Sequence, residues 1–201
     1  KSLFGTITQA NRFDDVDTLF IYTRRNGSEF EVGNGNSIYQ DDQDKTRNNF
    51  LGKVTYNIDE QSLVEFTGEI FNNINDSKFS TANIPGLAFE FSTTDLEEKV
   101  ITNRQRLSLA YQFDKPDSDS WIKFARTHVY FQNVLTEEES FKKTSSRGSI
   151  GSQEEEKDLT DRSFGANIKL GSDFDWGNTN HRLSYGLDIS NTYNERNNLR
   201  F

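Results

Sequence analysis

The sequence predicts an all-β chain: the wall of an antiparallel up-and-down transmembrane β-barrel, about eight strands wide. Three observations carry this. Apolar and polar residues alternate with period two in arm after arm, four short turns alternate with three long polar stretches, and aromatic residues gather beside the short turns. A water-soluble sandwich uses the same alternation with its apolar face as core. The two readings differ in what covers that face.

The arms follow in order. Lys1–Ala10 alternates weakly, with Leu3, Gly5, Ile7 and Gln9 on one side, and ends in the turn Asn11–Asp15. In Val16–Arg25, Thr18, Phe20 and Tyr22 alternate with Leu19, Ile21 and Thr23, so both faces are apolar and the pattern selects neither. A polar stretch, Asn26–Asn48, contains GNGN at 33–36. Phe50–Ile58 sets Phe50, Val54, Tyr56 and Ile58 against Lys53, Thr55 and Asn57. Asp59–Gln61 reverses the chain, and the return arm sets Val64, Phe66 and Ile70 against Glu65, Thr67 and Glu69. After the polar stretch Asn72–Glu97, the arm Val100–Phe113 opposes Leu107, Leu109, Tyr111 and Phe113 to Arg106, Ser108, Ala110 and Gln112. The turn Asp114–Ser120 leads to Trp121–Thr136, with Ala125, Thr127, Val129 and Phe131 opposite Phe124, Arg126, His128, Tyr130 and Gln132. Its facing is not fixed by the pattern. The polar stretch Glu137–Asp158 precedes the clearest hairpin, Arg162–Asn191. There Phe164, Ala166, Ile168 and Leu170 share a face, as do Leu183, Tyr185, Leu187 and Ile189, around a connection Ser172–Asn180 that carries Trp176. Tyr193–Phe201 continues toward a further loop or strand.

The regular alternation of short turns with polar stretches of roughly 20 residues favours the barrel, because sandwiches mix their loop lengths. Long structureless loops also sit badly in a compact soluble domain. Tyr56, Tyr111, Phe113, Trp121 and Trp176 lie beside the short turns, where a barrel has a membrane interface. On this reading Phe164, Ile168, Leu183, Leu187 and Ile189 face lipid, while Trp176 and His181 lie at the rim on the short-turn side.

Composition narrows the classes. No run of about 20 apolar residues exists, which excludes a transmembrane helix. The mean hydropathy of −0.82 is compatible with barrel strands, which need only every second residue apolar. The 17 Phe and 7 Tyr favour strands, and 2 Pro in 201 residues leave ladders uninterrupted. No Cys is present, so neither a disulfide nor a thiolate metal site is expected. The net charge of −9 speaks against nucleic-acid binding. No Met occurs and no signal peptide is visible, so the chain reads as a mature product or an excised segment.

Candidate chemistry is sparse. His128 lies mid-strand on a face with Arg126, Tyr130 and Gln132; a packing or hydrogen-bonding role is the plainer reading, and if that face is lumenal it is the one candidate to touch a plug or a ligand, a haem ligand requiring it near the extracellular mouth. His181, just after a short turn, reads as structural. Asp41, Asp42 and Asp44 lack the spacing of a Ca²⁺ loop, and Glu154–Glu156 reads as a solvated charge run. Glu65, Glu69, Arg106, Arg162, Lys169, Arg182 and Asp188 are expected on the polar face, pairing with one another or with whatever fills a barrel. No nucleophile elbow, zinc-binding helix, P-loop or dinucleotide fingerprint occurs, so no catalytic residue, metal or cofactor is assigned and enzyme activity is not expected.

The phrases TLFIYTRRNGSEFEVGNGN (18–36), NNFLGKVTYNIDEQSLVEFTGEIF (48–71), TNRQRLSLAYQF (102–113) and HRLSYGLDIS (181–190) resemble TonB-dependent outer-membrane receptors, most closely the haem, haemoglobin and transferrin receptor branch. The resemblance spans nearly the whole chain but rests on strand ends and turns. It implies that residues 1–201 form an arc of a 22-stranded barrel whose plug and C-terminal strands lie outside this sequence. It implies import of an iron source, most simply haem or haem taken from a host carrier protein, across the outer membrane of a Gram-negative bacterium. The inner-membrane TonB complex would act through the plug, and the wall would contact outer-membrane lipid. The haem receptors' FRAP…NPNL region is absent, so no ligand residue carries over. A siderophore receptor of the same superfamily and a soluble all-β module binding glycan or protein remain the alternatives.

Overall fold

The computed structural model describes residues 2–28, 42–79, 92–115, 121–146 and 149–201. Eight strands, β1 (Ser2–Phe13), β2 (Val16–Ser28), β3 (Asp42–Asn57), β4 (Ser62–Phe79), β5 (Ser92–Asp114), β6 (Phe124–Ser146), β7 (Ser149–Trp176) and β8 (Thr179–Arg200), form one sheet in sequence order. Every neighbouring pair is antiparallel, and among the described residues β1 and β8 are the edges. The expected all-β, up-and-down architecture of about eight strands is therefore the one observed.

Because directly paired residues share a face, the register sorts every strand. One face carries Thr18, Phe20 and Tyr22 on β2, Phe50, Val54 and Tyr56 on β3, and Val64, Phe66 and Ile70 on β4. It continues through Leu107, Leu109 and Tyr111 on β5, Val129 and Phe131 on β6, Phe164 and Ile168 on β7, and Leu187 and Ile189 on β8. This resolves the two arms that alternation left open: in β2 the even positions, and in β6 the odd ones, join the apolar face. Nearly all the large exposed apolar side chains of the strands lie here, Phe4 and Leu159 being the exceptions. Among the described residues no hydrophobic side chain is buried. A single layer has no second layer to bury its face against, so the fold has an apolar face in place of a core.

Several expected boundaries move. The supposed loop Glu137–Asp158 is strand almost throughout: β6 and β7 stay paired from Phe124↔Gly171 to Ser146↔Ser149. The polar ends of β2–β5 likewise continue as strands to residue 28, from 42, to 79 and from 92. These segments read as loops because their polar residues occupy both faces, yet a backbone ladder needs no apolar side chains where water lies on both sides. The GNGN motif and Asp41 fall outside the described residues. The nine-residue connection Ser172–Asn180 tightens to Gly177 and Asn178, since Trp176 pairs with Thr179. Gly177 takes φ 65°, the left-handed value that a two-residue hairpin asks of its first turn position and that glycine meets without strain. The first turn shortens similarly, to Asp14 and Asp15 between the paired Phe13 and Val16.

The short turns step diagonally across the sheet. The rung through Phe13, Val16, Tyr56, Val64, Tyr111, Thr127 and Ile168 closes the first hairpin, but β3 runs one residue past it, β5 three and β7 eight, to Trp176, before turning. The upper limit of the apolar face steps the same way, for Ile70 pairs with Gln105 and Phe164 with Asn191.

Candidate functional face

The opposite face is polar and cross-linked. Lys53 reaches Glu65 at 2.7 Å, and Arg104 reaches Glu69 at 2.6 Å. Phe71 lies between the guanidinium groups of Arg47 and Arg104, whose Cζ atoms are 5.6 and 5.1 Å from its ring centre. The Tyr130 ring takes Arg106 over it at 5.3 Å and lies above Gly165, where any Cβ would come within 2.6 Å of the ring. An aromatic on one strand thus fills the space a glycine leaves on the next, which fixes register and ring orientation together. Nearer the fourth turn, Arg182 donates to Asp173 through Nε and Nη2 at 2.9 and 3.0 Å. That hydrogen bonding holds the Asp173 carboxyl below its ordinary range. Toward the far ends of β6–β8, Lys157 bridges to Glu138 at 2.6 Å and Arg200 to Glu155 at 3.0 Å, and the hydrogen bond that Lys157 donates to Glu138 raises the pKa of its ammonium.

The register places His128 on this face, with its ring stacked 5.8 Å from Tyr130. It pairs with Ala110 on β5 and Asn167 on β7. Its height is informative. It lies four positions from the turn-side start of β6 and eighteen from Ser146 at the far end, so it is remote from the end of the sheet formed by the long extensions. His181 stacks on Phe174 at 5.5 Å and hydrogen-bonds Thr179, a local arrangement beside the turn.

Glu65, Glu69, Arg106, Lys169, Arg182 and Asp188 all fall on the polar face. Arg162 does not. It has the parity of Phe164 and pairs with Asn133 and Tyr193, placing it just past the edge of the apolar face, so its expected position is corrected. The acidic positions do not converge either. Asp44 faces Asp76, Glu139 faces Glu156, and no group of three or more potential metal-ligating residues occurs among the described residues. Alternation missed the opposed cations Arg126 and Lys169, because their pairing depends on interstrand register.

The sequence matches no protein-family profile and no curated protein. Among solved structures, a Pseudomonas aeruginosa FadL homologue is similar at 6% identity and TM-score 0.28, covering 96% of this chain and 70% of that one. A pore-forming protein is similar at 8% identity and TM-score 0.15, covering 100% of this chain and 91% of that one.

Proposed function

We propose that this chain is a section of wall from an outer-membrane β-barrel receptor, its apolar face in lipid and its polar face toward the lumen. The observation that carries the reading is the one-sided sheet: large apolar side chains cover one face, and among the described residues neither a helix nor a second sheet covers them. A lipid bilayer is the environment in which such a face is buried without a second layer.

The diagonal turns support the same reading. Eight residues of stagger over the six strand-to-strand steps from β1 to β7 is roughly 1.3 residues, or about 4.4 Å, per step of about 4.8 Å. If the turns lie in one plane, the strands tilt by about 40° to its normal, within the range of membrane barrels. The lipid-crossing portions are then Val16–Tyr22, Phe50–Tyr56, Val64–Ile70, Leu107–Phe113, Ala125–Phe131, Phe164–Leu170 and Leu183–Ile189. On the side away from the short turns, β3–β8 continue past these portions as a polar extension.

Within this class, the phrases at 18–36, 48–71, 102–113 and 181–190 favour a TonB-dependent receptor importing an iron source, with haem the first candidate. His128 is then a contact partway along the lumen for passing ligand. The deciding experiment is partitioning of the whole expressed chain. Folding only in detergent or lipid is the expected result, and a monomer that melts cooperatively in water without detergent overturns the proposal. Haem uptake by the intact receptor bearing His128→Ala tests the residue, and unchanged uptake removes its role.

A further inference from the structure

On the polar face, Arg126 of β6 lies directly opposite Lys169 of β7. Like charges in directly paired positions repel, and this rung holds no acid to offset them. Beyond Arg126 the rung continues to Gln112 on β5, and beyond Lys169 to Gly186, which has no side chain. The nearest carboxylates by register are Asp114 and Asp188, each one same-face rung away. Asp188 accepts a bond from Asn167 at 3.2 Å. Among the described residues neither carboxylate makes an ion pair with Arg126 or Lys169, whereas Lys53, Arg104 and Arg182 each make one and Lys157 makes two. His128 and Asn167 lie on the adjoining rung, where the Asn167 amide is engaged by Asp188 and the His128 ring adds a nitrogen group. In a chain of net charge −9, Arg126 and Lys169 thus lie side by side without an ion pair to either carboxylate among the described residues.

We infer that Arg126 and Lys169, flanked by His128 and Asn167, form a subsite for an anionic group, a carboxylate or phosphate carried by a ligand on the polar face. The guanidinium offers two parallel N–H donors to such a group, and the ammonium adds a mobile point charge from the facing strand. A bound anion converts the repulsive pair into a bridged one. The subsite deepens the transport reading, since it would lie in the lumen on the turn side of the wall, yet its chemistry depends only on the strand register.

The test uses the whole chain folded in detergent micelles, with pyrophosphate and citrate as probes in calorimetric titrations. Arg126→Gln and Lys169→Gln should each weaken binding at least tenfold, and Lys53→Gln, on the same face but paired with Glu65, should leave it unchanged. Lys169→Glu supplies an acid opposite Arg126. It should raise the thermal midpoint without probe and abolish binding, so loss of binding cannot be ascribed to misfolding. Pyrophosphate binding without citrate binding makes the group a phosphate, and the converse makes it a carboxylate. No binding by the folded wild type, or equal binding by Arg126→Gln, overturns the inference and leaves the barrel reading standing. Binding by a chain that is monomeric in water without detergent upholds the subsite and overturns the barrel. A wild type whose site is silent until an acidic segment of another polypeptide is supplied also overturns it.

Discussion

Leu109 offers the sharpest measurement of which face meets lipid. It sits mid-way along the apolar part of β5, opposite Phe66 on β4 and Val129 on β6, and is 48% exposed in the sheet. Full burial of a leucine contributes about 1.5–3 kcal/mol. Neighbouring strands already cover about half of the side chain, which leaves about 1 kcal/mol for contact with hydrocarbon. Leu109→Arg forfeits that contact and adds a charge near the bilayer midplane, for a total of about 2–4 kcal/mol. The neighbouring Ser108 points the other way, opposite Thr67 and Tyr130. Ser108→Arg stays on the polar face, one rung from the carboxylates of Glu65 and Glu69 as well as from Arg106, and should cost less than about 1 kcal/mol. Both variants are refolded into phosphatidylcholine vesicles and unfolded with guanidinium while Trp fluorescence is followed. If Leu109→Arg falls within about 0.5 kcal/mol of wild type, or Ser108→Arg costs as much as Leu109→Arg, the facing is wrong.

Two further outcomes follow from the strand ends. Glu137–Glu139 and Glu154–Glu156 lie in paired strands, so a protease specific for glutamate should spare those bonds in the folded protein, and early cleavage there would restore the loop reading. Asp173 is held below its ordinary carboxyl range by Arg182, so its contribution to stability is complete above the unfolded carboxyl value and is lost as pH falls through the lower folded one, below about 4. Asp173→Asn should therefore flatten the acid limb of a plot of thermal midpoint against pH, and an unaltered limb refutes the pairing.

Much of the architecture was legible in the chain itself. Period-two alternation in Phe50–Ile58, Val64–Ile70, Leu107–Phe113 and Arg162–Asn191 is a local property, because adjacent Cβ atoms point to opposite sides of a strand whatever surrounds it. The same rule misled where it lacked a contrast. In Glu137–Asp158 both faces are polar, so continuous strand looked like loop, and in Val16–Arg25 both centres are apolar, so neither face stood out. Arg162 shares the parity of Phe164, so alternation alone already sets it apart from the polar face.

The sequence by itself determined that this chain forms two-faced antiparallel strands, how many, and in what order they reverse, since alternation and turn chemistry act over a few residues. Only the tertiary structure decided which residues meet across strands. Register depends on hydrogen bonds between segments distant in the chain, and a slip of one residue exchanges the faces. That register lets Phe71 lie between Arg47 and Arg104, sets His128 away from the long extensions, and brings Arg126 to face Lys169 with no acid between them.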